Sequence, residues 1–352
     1  MRIISTFVFL LNLFLLIAPN QSAQASIQGV PSPLSNGPSL TLHQRNLDRS
    51  CFSLKAGPRD LDCNPAFLAD SEKRILRFNL IGDNNVLKLD EYRDQVDRDD
   101  IIGAANDFLN DAEPVQAHAS ASVWYQNNWW AIGYVPVRAS VSYLHRNPSY
   151  PEISAYGFQE SEVFAKAGFL STESKNIRVG VQARYVQRDF IYQKFYALDA
   201  ALDPDIIELE SNKALYIEPA FAFSWESDLE PTLSWVLTDL PIFQQGTEIR
   251  KHPTSDFGFS SLTWLPNLRT TTHYHRRQGT DFSRHLSWSA IYEFDETAAI
   301  SVHTGRDISG IAFDGHISIF VAGISYRNEK FDVDSWNSSR IRSTTIELGL
   351  TF

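Results

Sequence analysis

The sequence predicts an all-β chain closed into an antiparallel transmembrane β-barrel of about 12–14 strands, with small helical insertions and a short N-terminal plug. Three observations carry this expectation. First, apolar and polar residues alternate with a period of two over many segments, and the clearest is the last, Ser343–Phe352. There Thr344, Ile346, Leu348, Leu350 and Phe352 share one face, and Ser343, Thr345, Glu347, Gly349 and Thr351 the other. Second, many of these segments are long. A tilted membrane strand needs about 9–11 residues, whereas soluble strands average about five or six. Third, aromatic residues make up 12% of the chain and gather at segment ends, at Trp124, Tyr125, Trp129, Trp130, Tyr143, Tyr185, Trp225, Trp264, Tyr292 and Tyr326. That is the placement of interfacial girdles.

In chain order, Arg2 precedes an apolar run from Ile3 to Ile17, then Pro19 and Ala23-Gln24-Ala25. This pattern is that of a signal peptide over residues 1–25, cleaved before Ser26. Beyond it no run of about 18 apolar residues remains, so no transmembrane helix is expected. A hydrophobic fraction of 43% fits an alternating barrel, whose average hydropathy is moderate. The net charge is −11, without a basic patch interleaved with aromatics, which excludes nucleic acid as a partner.

Residues 26–72 are expected to form an N-terminal periplasmic or plug segment. Its first part, 26–50, is rich in Ser, Pro, Gly and Asn and reads as irregular. The two cysteines, Cys51 and Cys63, read as one disulfide in an exported chain. Closing such a loop contributes about 3 kcal/mol in the chain-entropy treatment.

The barrel is expected over 73–352. A first strand alternates Leu76, Phe78 and Leu80 with Arg77 and Asn79. Helical spacing then marks an insertion at about 86–110 and a second at about 190–210. Between and after them run segments around Val115–Tyr125, Ala131–Tyr143, Val163–Phe169, Ile177–Tyr185, Leu215–Trp225 and Leu233–Leu237. A polar loop carries Pro241, Gly246 and Pro253. Segments follow at Phe257–Trp264, Leu268–Arg276, Leu286–Phe294, Ala298–Thr304, Gly315–Tyr326 and the terminus. About thirteen segments are visible, and a closed antiparallel barrel requires an even number. The last strand should pair with the first, Arg74–Ile81, because an open edge in lipid would leave backbone groups unpaired.

Within the segments, Arg138, Glu162, Lys166, Arg178, Arg184, Glu218, Glu293 and Glu347 fall opposite the apolar face. A charge facing lipid near the midplane would cost about 2–4 kcal/mol, so these side chains are expected in the lumen. His273, His275, Ser283, His285, Ser287 and Ser289 lie on one hairpin and raise the question of a lipid hydrolase. No lipase motif surrounds them, and a polar lumen-facing hairpin accounts for them; no carboxylate or cysteine is fixed beside the His273/His275 pair to complete a metal site. No enzyme, cofactor or metal is therefore expected.

Asn64-Pro65-Ala66-Phe67-Leu68-Ala69, just before the first strand, resembles the turn that opens the barrel in the FadL-type (long-chain fatty-acid transporter) superfamily of outer-membrane proteins. In layout the chain is most similar to that superfamily's short, conjugal-transfer TraF-like relatives. Pro65 fixes φ and favours an extended Asn64, so Asn64, Pro65 and Ala66 are expected to form a rigid plug-to-barrel turn. The resemblance implies an outer-membrane location in a Gram-negative envelope, contact with lipid, and a C-terminal Phe352 read by the barrel-assembly machinery. It also implies passive transport of a small hydrophobic molecule. Two alternatives stay open: a non-conducting component of a secretion or conjugation apparatus, and a hydrolase. Oligomeric state stays open as well.

Overall fold

Alternation closes the chain on itself. In the computed structural model the described residues are 40–56, 60–86, 115–146, 152–170, 176–196, 210–246, 253–276, 286–294, 297–334 and 337–352. They form fourteen antiparallel strands in one closed sheet. The strands are β1 (Arg74–Asp83), β2 (Val115–Asn127), β3 (Trp130–Arg146), β4 (Glu152–Leu170), β5 (Ile177–Tyr196) and β6 (Glu210–Ser224). Next come β7 (Thr232–Thr238, continued as Leu240–Gly246), β8 (Thr254–Leu262), β9 (Leu268–Arg276) and β10 (Leu286–Phe294). The set ends with β11 (Ala298–Gly305), β12 (Ile308–Ile317), β13 (Phe320–Asp334) and β14 (Asn337–Thr351). The seam is β1 on β14, with Phe78 opposite Leu350 and Leu80 opposite Leu348. Phe352 extends it: its N–H donates to Leu76 O (2.8 Å), its carbonyl accepts from Leu76 N (3.0 Å), and its ring meets Phe78 edge-on at 6.5 Å.

The barrel is inside-out relative to a soluble protein. At the seam Leu80 and Leu348 point outward, 61% and 58% exposed, while Arg77 and Glu347 point inward at 0% and 1%. Phe169, Val179, Phe259, Phe313 and Ile324 continue the apolar exterior. A closed sheet with an apolar exterior and a polar interior leaves no strand edge unpaired, as spanning a membrane requires. The chain is a membrane-spanning barrel of outer-membrane type. Among the described residues no helix is long and apolar enough to cross a membrane.

Three sequence expectations about the barrel wall change. Residues 190–196 are not helical: they extend β5, with Phe190 opposite Phe158 and Tyr196 opposite Glu152. The aromatic and β-branched run Phe190-Ile191-Tyr192 suits a strand, and pairing along β4 outweighs its loose helical spacing. Residues 197–209 of that insertion, and 87–110 of the first, lie outside the described residues, as do residues 1–39. The loop around Pro241 instead begins as strand. After Asp239, at φ 57°, Leu240–Gly246 pairs with β6, and a register shift at Leu215/Tyr216 accommodates Pro241, which has no N–H to donate. Finally, Gly315–Tyr326 is two strands, split by a turn with Ser318 at φ 57°.

The segment before β1 sits inside the bore. Residues 42–50, expected to be irregular, are helical: α1 (Leu42–Leu47) runs into a 3-10 turn, Asp48–Ser53. The Thr41 hydroxyl caps α1 by accepting from Gln44 N, while Gln44 Oε1 accepts from Leu40 N at 2.8 Å. Thr41-x-x-Gln44 is close to a capping box, a signal legible in the sequence. A second 3-10 turn, Pro65–Asp70, follows Asn64 and leads into β1.

Candidate functional site: the plugged bore

The plug has two lobes of opposite character, each facing one half of the barrel wall. The first, Leu40–Ser53, is bound mainly by polar contacts to β1 and to β7–β14, with Leu47 and Cys51 also packed in an apolar cluster with Ile291 of β10. His43 Nδ1 lies 2.7 Å from Ser301 Oγ, and its Nε2 lies 2.6 Å from Asp314 Oδ1. Asn46 donates to Ser301 O (3.1 Å) and Leu42 N to Glu347 Oε2 (2.8 Å). Arg45 Nη2 stands 3.6 Å from Asp83 Oδ2, and the Arg45 carbonyl accepts from Arg327 Nη1 at 2.7 Å. Arg49 Nη1 donates to Asp256 Oδ2 (3.1 Å) and Thr238 Oγ1 (3.1 Å). Ser50 meets Ser287 at 2.9 Å and Ser53 meets His273 Nδ1 at 2.8 Å. Burial disfavours the charged His43 ring, yet the hydrogen bond and negative charge of Asp314 outweigh that cost and raise its pKa above the ordinary histidine value.

The second lobe, from Leu61 to Ser71, is held largely by apolar packing on β1–β7. Leu61 and Leu68 join Leu40, Ile75, Trp124, Ala131, Val135 and Phe164 in one buried cluster. Ala66 and Phe67 join Ala220, Ala222 and Val236 in another. The expected turn residues hold this lobe in place. Asn64 Oδ1 accepts from Ala66 N (2.9 Å), its Nδ2 donates to Phe52 O (3.0 Å), and Pro65 begins the 3-10 turn. The turn lies against the facing pair Gly168 and Gly180, where a Cβ would come within 2.6 Å of Pro65 O and 2.3 Å of Ala66 N respectively. Only glycine permits that approach. The Cys51–Cys63 disulfide, with a Cα separation of 5.7 Å, ties the lobes together.

The eight charges expected in the lumen lie in the interior register. Arg138, Glu162, Lys166, Arg184, Glu218 and Glu347 are buried; Arg178 and Glu293 are half-buried near the short-turn end. Arg138 Nη2 donates to Glu162 (2.8 Å), Arg184 to Glu162 (3.1 Å), Glu218 (2.8 Å) and Asp239 (2.7 Å), and Arg188 pairs with Glu160. Lys166 Nζ donates to Asp62 O at 3.0 Å, fastening the apolar lobe. Arg178 Nη1 donates to Ser224 Oγ at 2.7 Å. Glu347 Oε1 accepts from Arg77 Nη2 at 2.6 Å.

Of the hairpin residues considered for hydrolysis, Ser283 and His285 lie outside the described residues. His273 Nε2 and His275 Nδ1 converge on Asp256 Oδ1, at 3.0 and 2.8 Å, and Ser289 Oγ is 2.7 Å from His303 Nδ1. These bonds join wall to wall, and the same network reaches the plug through Ser53 on His273, Ser50 on His303 (3.5 Å) and Arg49 on Asp256. Sequence reading missed Asp256, Asp314 and His303 on the wall and His43, Arg45 and Arg49 on the plug. The wall residues were findable: Asp256 and Asp314 fall opposite exposed Phe257 and Phe313 in the strand alternation. Their partners were not, because Arg49 and Asp256 are 207 residues apart. Among the described residues no group of three or more His, Cys, Asp or Glu side chains is placed to hold a metal ion.

No family profile matches the chain, and none of the curated proteins does. Among solved structures it is similar to the toluene transporter TodX of P. putida, with 7% identity over 92% of this chain and 97% of that one and a TM-score of 0.43. A TodX deltaS2S3 mutant, described as a monoaromatic hydrocarbon channel, gives 9% identity over 90% and 98% with a TM-score of 0.48. CdiB from Acinetobacter baumannii gives 10% identity over 90% and 72% with a TM-score of 0.36.

Proposed function

We propose that this chain is a gated passage of a Gram-negative outer membrane, exported by the cleavable signal peptide at residues 1–25 and assembled through its Phe352 end. In the closed state described above, residues 40–56 and 60–72 fill the bore, and a small solute crosses when the plug yields. The carrying observation is the chemistry of the first lobe. Its contacts to β7–β14 are mostly hydrogen bonds and ion pairs, which water can replace; apolar packing there is limited to a small cluster in which Leu47 and Cys51 meet Ile291. Transport of a hydrophobic solute is implied by the FadL-type resemblance alone; the charged lining of the bore supports a polar one.

A permanently closed structural barrel, serving an envelope apparatus, is the second reading, favoured by the apolar lobe and its glycine-pair seat. Swelling of proteoliposomes in small polar solutes separates the two. The intact chain should admit solute slowly, and Asp256→Ala, which removes the carboxylate shared by Arg49, His273 and His275, should raise the rate several-fold. Equal, near-zero rates for both proteins would favour the structural reading.

A further inference from the structure

The two halves of the bore differ in charge balance. On β3–β7 the interior ladder is even: Arg138, Lys166, Arg184 and Arg188 stand among Glu160, Glu162, Glu218 and Asp239, and the arginines pair directly with these carboxylates. The wall beneath the polar lobe is uneven. Asp83, Asp256, Asp314, Glu329 and Glu347 are all buried there, each at 5% exposure or less. Among the described residues, the wall arginines paired with them are Arg77, on Glu347, and Arg327, whose Nε stands 3.6 Å from Glu329 Oε2. The remaining three carboxylates take their cations from the plug: Arg45 for Asp83, Arg49 for Asp256 and His43 for Asp314. His273 and His275 also face Asp256, and His316 faces Asp314.

We infer that this wall is the conducting face of the open passage and takes cationic solutes, for which the side chains of the polar lobe stand in while it is closed. The inference rests on the gated reading and names its substrate class: a small organic cation bearing a guanidinium or ammonium group. Once the lobe withdraws, Asp83, Asp256 and Asp314 lose their plug cations, and a carboxylate-lined passage concentrates positive ions. A second observation points the same way. Asp83 Oδ2, on the wall, is a buried acceptor with no hydrogen-bond donor among the described residues, Arg45 Nη2 standing 3.6 Å away. Buried acceptors of this kind call for a donor, and a planar guanidinium supplies several at once.

The test is single-channel recording of the purified full-length chain in a planar bilayer under a KCl gradient at pH 8, where exposed histidines are neutral. The variant His43→Ala/Arg45→Ala/Arg49→Ala should open and pass K+ several-fold better than Cl−. Adding Asp256→Asn and Asp314→Asn should bring the ratio close to one. Openings without cation preference would overturn the inference and leave the gated reading standing. Silence in every variant, with the barrel still heat-modifiable, would contradict the gated reading itself. If the triple variant does not fold, the unaltered chain serves: guanidinium at non-denaturing concentration should raise its opening frequency above that in equal sodium, and no increase would overturn the inference.

Discussion

His43 shows how much one residue can do in this bore. Its pKa is raised because Asp314 favours the imidazolium more than burial opposes it. A raised folded-state pKa means that the stabilisation is complete below the unfolded value of about 6.5 and is lost as pH climbs through the folded value. Opening of the intact chain should therefore become more frequent from near neutrality into the alkaline range, and His43→Gln should flatten that profile in bilayer recordings. More frequent opening as the pH falls would contradict this account. Gly168 and Gly180 give a second test at the same scale. A side chain at Gly180 would press on the backbone of Ala66, which cannot swing aside, so Gly180→Val should destabilise by about 1–3 kcal/mol. The readout is a lower temperature of heat modification. Gly82→Ala, with nothing within 4 Å of its Cβ position, should leave that temperature unchanged. The seat of the motif was not legible in Asn64–Ala69 itself, because the glycines that receive it lie about a hundred residues downstream. The inward set was legible, since one apolar neighbour on each side assigns a face by parity alone.

At the scale of elements the plug behaves as two pieces joined by a crosslink. Cys51 and Cys63 are separated by 12 residues, and opening that loop should forfeit about 3 kcal/mol of plug stability. Cys51→Ser/Cys63→Ser should keep the barrel heat-modifiable while exposing residues 52–62 to protease. A uniform fall in barrel stability with no new cleavage would argue that the bridge serves the wall instead. Long strands with clean alternation were the most legible elements, and β14 was readable to its last residue. Those that misled, 190–196 and 240–246, have mixed local signals: aromatics at near-helical spacing in one, a proline and a glycine in the other. Their state is decided by pairing with β4 and β6, which no local window contains. α1 was hidden in a Ser- and Pro-rich stretch, although Thr41 and Gln44 carried its start signal.

For the whole molecule, inversion of the usual burial pattern leaves an apolar outer face suited to lipid rather than water. Leu348→Arg, pointing outward on β14, should cost about 2–4 kcal/mol in refolding into bilayers. A polar change at an exterior position that cost nothing would place that surface in water. The seam from Phe78 to Phe352 and the outward leucines could be read from sequence, because closure and a lipid-facing side impose a single periodicity. That residues 40–56 and 60–72 fill the bore could not, since the pairing of plug to wall is wholly long-range. The most direct measurement is the bilayer conductance of the intact chain beside one lacking residues 40–72, both shown to be heat-modifiable barrels. A plugged bore predicts an intact chain that stays closed at rest and a deletion that opens a steady, large conductance. A freely conducting intact chain, or a silent deletion, would contradict it.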